Sequence, residues 1–284
     1  MEEKERTNEV EIKNSDIKEI NPYLHEVCKS ICKIKYKNHF GTGFFIKLFL
    51  DGKLLSSLMT NNHVIFTEKN ELNENIIVQY NFEKKIITIK LDENERIIKY
   101  DRNMDVAIIE IIPDDKIKEK YFLVPNIDNI NFLNQDIYIP QYPEGKNLSY
   151  SEGKIINMND NELIYDASTK SGSSGSPIIL KNSTKVIGIH KQGHISKTKN
   201  YGTCMNYVLK MLNNSIEFNA KRTYENGEYY IGSMLNNKKH GKGIYYYKNN
   251  KILYDGYFLL TKQKERENIF GKMVIIMTDN GSMV

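Results

Sequence analysis

Two glycines flank a pair of serines in Ser171-Gly172-Ser173-Ser174-Gly175-Ser176-Pro177, and the chain then runs straight into the apolar stretch Ile178-Ile179-Leu180. Glycine tolerates backbone conformations closed to other residues, so Gly172 and Gly175 permit a sharp bend just ahead of a strand. Such a bend can hold backbone N–H donors beside a side-chain hydroxyl, which is what a tetrahedral oxyanion requires. Ser174 is the candidate nucleophile, and the N–H groups of Gly172 and Ser174 are the candidate oxyanion donors. Glycine and serine also dominate ordinary turns, so the loop needs company before it defines a site.

A serine hydroxyl is inert at neutral pH without a base, and the base needs an orienting acid. Leu58-Met59-Thr60-Asn61-Asn62-His63-Val64-Ile65 follows the strand-like Gly41-Thr42-Gly43-Phe44-Phe45-Ile46 and offers His63 as the base. Met104-Asp105-Val106-Ala107-Ile108-Ile109 places Asp105 at the head of an apolar run, where a carboxylate can accept an imidazole N–H. Asp101 is a competing acid. These segments and the serine loop resemble the corresponding motifs of chymotrypsin-fold serine proteases, and the order His63, Asp105, Ser174 is that of the same family. The resemblance implies two antiparallel β-barrels of six-stranded type, a closing C-terminal helix and a cleft between the barrels.

Further segments are similar to those of bacterial glutamyl endopeptidases. They are Val186-Ile187-Gly188-Ile189-His190, Tyr165-Asp166-Ala167-Ser168-Thr169 and Ile137-Tyr138-Ile139-Pro140-Gln141-Tyr142-Pro143-Glu144-Gly145. That resemblance covers roughly residues 23 to 218. It implies that His190 and the Thr169 hydroxyl receive a substrate carboxylate, and that Lys191, Gln192 and Gly193 pair with the substrate backbone. Cleavage after Glu or Asp is the expectation. The sequence departs from the family in two places. About twenty residues precede the first strand-like segment, where family enzymes use a liberated amino terminus in carboxylate recognition. Ser173 stands where secreted zymogens carry an aspartate, so activation by that ion pair is not expected. An HtrA-type protease of other specificity and a catalytically silent binding module are the alternatives.

Short Ile- and Tyr-rich runs at 76–80, 85–91, 106–112 and 163–166, separated by Asn, Asp and Gly clusters, read as strands of an all-β protein. Met205, Val208, Leu209, Leu212 and Ile216 recur at helical spacing. They place the closing helix and a domain boundary near Ala220, giving a protease domain over 23–220. Beyond it, Tyr230 and Tyr254 are 24 residues apart (254 − 230), as are Gly232 and Gly256 (256 − 232). With Gly227-Glu228-Tyr229-Tyr230 and His240-Gly241-Lys242-Gly243 these resemble MORN repeats, hairpins in which aromatic rings stack between units, and define a module over 221–284. An irregular third unit includes Phe270-Gly271-Lys272-Met273 and Asn280-Gly281, after an insertion at 261–268. Lys238, Lys239, His240, Lys242, Lys248 and Lys251 would present a basic surface to a protein partner or to acidic lipid headgroups.

The first 22 residues read as a charged, disordered extension; residues 1–19 have no apolar core, unlike a signal peptide or a membrane span. Cys28, Cys32 and Cys204 lack metal-type spacing and suggest a reducing, cytoplasmic compartment. His190 and His194, four apart on a strand and a loop, would not share a face as helical zinc ligands do, so neither metal nor cofactor is expected. A net charge of +4 with interspersed signs argues against nucleic acid as a partner and leaves a protein or peptide substrate.

Overall fold

The computed structural model describes residues 21–50, 53–66, 73–80, 85–126, 131–193, 198–213, 216–235 and 238–258. The expectations for residues 1–19, for His194 and for 261–284 lie outside the described residues.

Seven strands make the first sheet: β1 (Ile31–Tyr36), β2 (His39–Leu50), β3 (Lys53–Thr60), β4 (Asn75–Tyr80), β5 (Lys85–Lys90), β6 (Ile98–Asp101) and β7 (Val106–Glu110). Their spatial order is β5-β4-β1-β2-β3-β7-β6. Alternation sets the faces: Ile34 and Tyr36 of β1 point into the core while Lys35 points out. The second sheet comprises β8 (Val124–Pro125), β9 (Asp136–Gln141), β10 (Ser149–Met158), β11 (Glu162–Tyr165), β12 (Pro177–Leu180), β13 (Lys185–Gly193) and β14 (Asn200–Cys204). Because β12 pairs with both β9 and β13, six of these strands close into a barrel, and β8 adds in parallel to β13.

The first sheet does not close in the same way. Among the described residues its end strands β5 and β6 do not pair, so it is a half-barrel rather than a second full ring. The connection between them is held by Arg96, which donates to the Glu110 carbonyl at 2.8 Å and to Asp115 Oδ2 at 2.9 Å. This buried guanidinium ties down the chain where strand pairing would otherwise run.

A single apolar cluster crosses from one sheet to the other. Phe44, Ile46, Met59 and Ile108 of the first sheet pack with Ile179, Val186 and Ile189 of the second, and with Met205, Val208 and Leu209. Burying each such side chain contributes about 1.5–3 kcal/mol, so the seam is a rigid joint. Helix α1 (Pro22–Cys28) leads into β1, the short α2 (Asn62–Ile65) follows β3, and α3 (Met205–Leu212) packs beside β13. The helical spacing that included Ile216 ends earlier, because Asn213 turns its side chain back to the Phe49 carbonyl at 2.6 Å. Ile216 instead opens the next strand.

That strand, β15 (Ile216–Thr223), starts a third sheet with β16 (Tyr229–Leu235), β17 (Lys238–Tyr246) and β18 (Ile252–Phe258), paired in chain order. Residue 220 therefore lies inside β15, and Ala220 packs with Tyr230 and Met234. Gly232, Gly243 and Gly256 share one register row, and Tyr230, Tyr245 and Tyr254 share the row two residues along. The Tyr230 hydroxyl would lie 2.3 Å from a Cβ at Gly232 or Gly243, so the ring lies flat only over glycine. Lys239, expected on a basic surface, is turned inward: its amine lies 3.8 Å from the Tyr245 ring centre and 5.0 Å from that of Tyr224. Burial there pulls its pKa down to about 8, with Glu228 acting in the opposite direction.

Candidate active site

His63 stands on the first turn of α2, where β3 delivers the chain to the seam. It is clamped by Asp105 through two contacts: its backbone N–H donates to Oδ1 at 3.0 Å, and its Nδ1 lies 2.6 Å from Oδ2. Asp105 is buried and has a left-handed backbone, φ 55°, which aspartate tolerates better than most residues. The turn is fixed from three sides. Asn61 Nδ2 donates to the Asp105 carbonyl at 2.7 Å, Thr203 Oγ1 to the Met104 carbonyl at 2.6 Å, and the Met104 N–H to Asp101 Oδ1 at 2.8 Å. Asp101 thus shapes the turn, and Asp105 faces the histidine.

In the serine loop, Gly172 and Gly175 have φ of 87° and 88°. A Cβ at Gly175 would lie 2.1 Å from the Thr42 carbonyl oxygen and 2.4 Å from Thr60 Oγ1, so the loop is seated hard against the chain that carries His63. Its hydrogen bonds alternate. The Ser171 carbonyl accepts from Glu144 N–H at 2.5 Å and the Ser173 carbonyl from Ser176 N–H at 3.0 Å, while Ser173 N–H donates to Lys170 and Gly175 N–H to His190. The N–H groups of Gly172 and Ser174 make no hydrogen bond among the described residues. No hydrogen bond joins the Ser174 hydroxyl to His63 among the described residues either; a hydrogen bond between a nucleophile and its base commonly tightens only when a substrate binds.

Thr42 is the residue that sequence reasoning passed over. Fully buried, it donates its N–H to the Ser174 carbonyl at 2.8 Å and its hydroxyl to the Gly172 carbonyl at 2.8 Å. The same hydroxyl accepts from Tyr142 N–H at 3.0 Å, and the Thr42 carbonyl accepts from Thr60 Oγ1 at 2.7 Å. The available signal was a polar residue set between two glycines in an apolar strand.

His190 lies on β13 directly behind the loop, with its N–H donating to the Ser176 carbonyl at 2.8 Å. Its Nδ1 is 2.6 Å from the Tyr165 hydroxyl. Burial, reinforced by the nearby His63, pushes the His190 imidazole down to about 4, with the Tyr201 backbone and Asp105 opposing. Burial holds the Tyr165 phenol well above its ordinary value, so it keeps its proton. The Thr169 hydroxyl donates to Asn200 Oδ1 at 3.0 Å, and Asn200 Nδ2 donates to the Ala167 carbonyl at 2.6 Å. Lys191 reaches the Asn103 carbonyl at 3.1 Å, beside the Asp105 turn, whereas Gln192 and Gly193 are exposed. One edge of Gln192–Gly193 pairs with β14; beyond Pro177 and Ile189 no strand covers the other edge among the described residues.

The buried neutral imidazole carries a stability consequence. Its pKa is about 4 in the folded chain against an ordinary 6.5, so between those values the unfolded chain binds a proton that the folded chain does not. Stability therefore falls as pH drops from 6.5 towards 4, by about 3 kcal/mol over the window. Urea unfolding at a series of pH values is expected to show this slope, and His190→Gln is expected to flatten it. An equal slope in parent and variant would remove His190 as its source.

A closed barrel joined to a half-barrel, with a carboxylate-held histidine and a glycine-bent serine loop meeting at the seam, is the architecture of a chymotrypsin-type serine peptidase. Residues 41–189 match the trypsin-like peptidase domain family, and the chain belongs to that family as a serine endopeptidase. It is 29% identical over 199 residues to a glutamyl endopeptidase of Staphylococcus epidermidis, covering 63% of this chain and 69% of the relative. A glutamyl endopeptidase of Staphylococcus aureus is 28% identical over 205 residues, covering 68% of this chain and 55% of the relative. The active form of the M. tuberculosis protease Rv3671c shares the fold with a TM-score of 0.53 at 20% identity, over 68% of this chain and 83% of that one. No helix among the described residues is long and apolar enough to cross a membrane.

Proposed function

We propose that Ser174 attacks the scissile carbonyl while His63 takes its proton and returns it to the leaving amine. Asp105 holds the imidazole so that Nδ1 carries its proton and Nε2 accepts. The developing oxyanion is received by the N–H groups of Gly172 and Ser174. The observation that carries this reading is the double contact of Asp105 with His63, since a carboxylate gripping both backbone and ring leaves one orientation of the base. Residues before the scissile bond would add as a strand to the open edge of Lys191–Gly193.

The residue before the bond is proposed to be Glu or Asp. With the Tyr165 hydroxyl donating to Nδ1, the neutral His190 carries its proton on Nε2 and can donate to a carboxylate. The Thr169 hydroxyl, now paired with Asn200, can rotate to give a second donor. The test is a set of peptides differing only at that residue. Glu is expected to exceed Gln in kcat/KM by a factor of 10 or more, in line with a charge-assisted hydrogen bond of about 1.5–3 kcal/mol, and His190→Ala is expected to abolish the margin. Equal rates for Glu and Gln in the parent protein would discard the acid-reading role.

The third sheet supports a MORN-type module that recruits the peptidase or its substrate, because its repeat falls on the register rows of Gly232 and Tyr230. Three unpaired cysteines, two of them buried, support a reducing, cytoplasmic setting.

A further inference from the structure

The first sheet runs away from the serine loop from β2, which carries Thr42, through β1 and β4 to β5. Thr42 holds the Ser174 carbonyl, and two residues earlier Phe40 packs over Gly145, where a Cβ would lie 3.0 Å from its ring. Gly145 in turn lies against Gly172. If residues before the scissile bond lie along β13, chain direction sends those after it past Phe40. Directly paired residues share a sheet face, so Phe40, Lys35, Ile77 and Thr88 form one outward row, and Lys33, Gln79 and Ile86 extend it.

This face combines exposed apolar surface with unneutralised positive charge. Phe40 is 44% exposed, Ile77 39% and Ile86 62%. The Lys33 and Lys35 amines lie 6.0 and 5.8 Å from the Phe40 ring centre, and Lys33 donates to the Gly145 carbonyl at 3.1 Å. Neither lysine has a carboxylate partner among the described residues, and the two rows contain no acidic residue.

We infer that this face binds the leaving-group side of the substrate, selecting an apolar residue followed by acidic ones. The apolar side chain stacks on Phe40, and the carboxylates meet Lys33 and Lys35. The inference rests on the catalytic reading above, since it takes the direction of the bound peptide from it.

The experiment uses two peptides identical up to the bond and through one apolar residue after it, one then continuing Glu-Glu and the other Lys-Lys. The acidic peptide is expected to be cut with a kcat/KM about tenfold higher, mostly through KM, with the margin shrinking at high salt. Lys33→Glu combined with Lys35→Glu is expected to reverse the order, and an unchanged melting transition shows that the variant folds. The same two peptides are also titrated against Ser174→Ala protein by fluorescence anisotropy, with the same order expected. Ser174-dependent cutting of both peptides at equal rates overturns the inference and leaves the catalytic reading standing. Absence of cutting overturns the catalytic reading, and binding of the two peptides with equal affinity then overturns this inference as well.

Discussion

Asparagine in place of Asp105 is expected to lower kcat by about 10⁴ while leaving the melting temperature nearly unchanged. The carboxylate accepts at both oxygens, from the His63 backbone N–H and from its ring. An amide can keep the first contact through its oxygen, but it then offers an N–H to Nδ1. That reverses the tautomer, puts the ring proton on Nε2 and leaves no acceptor for the serine proton. Asparagine also tolerates the left-handed backbone at this position, so the turn is not strained by the change. Kinetics on a cleaved peptide and a melting curve on the same samples read the two effects separately. Equal losses of activity and stability would mean that Asp105 is only a structural residue.

Alanine at Ser174 is expected to reduce turnover by about 10⁶ with little change in peptide affinity. The hydroxyl is the only atom removed. The loop's shape rests on the left-handed glycines, on the Ser174 carbonyl held by Thr42 and on Gly175 N–H held by His190. None of these involves the hydroxyl, so the oxyanion donors and the β13 edge should remain in place. A variant that binds the peptide as tightly as the parent and does not cut it isolates the chemical step. Comparable cutting by the variant would assign the reaction to another residue.

The contact between His63 and Asp105 and the glycine-bent turn around Ser174 were legible in the chain because each sits at the border of an apolar run, where a local pattern of glycine, asparagine or aspartate announces a turn. The strands at 75–80, 85–90 and 162–165 were legible for the same local reason. Properties set by distant segments were hidden. Thr42 gains its importance from contacts with Gly172, Ser174, Tyr142 and Thr60, which only the tertiary fold brings together. The Tyr165 contact that orients His190 links β11 to β13 through neither strand's own pattern. Lys239 reads as a surface lysine until the sheet places it over the Tyr245 ring. Periodicity carried the closing helix one step too far, because Asn213 bonds to Phe49, a partner 164 residues away.

The most direct test of the central claim is reaction of the intact chain with an alkyl fluorophosphonate, which an activated serine attacks with loss of fluoride, followed by mass-spectrometric mapping of the adduct. A single adduct on Ser174 is expected, formed slowly or not at all in Asp105→Asn and absent in Ser174→Ala. An unlabelled parent protein, or an adduct on another residue that survives Ser174→Ala, would contradict it.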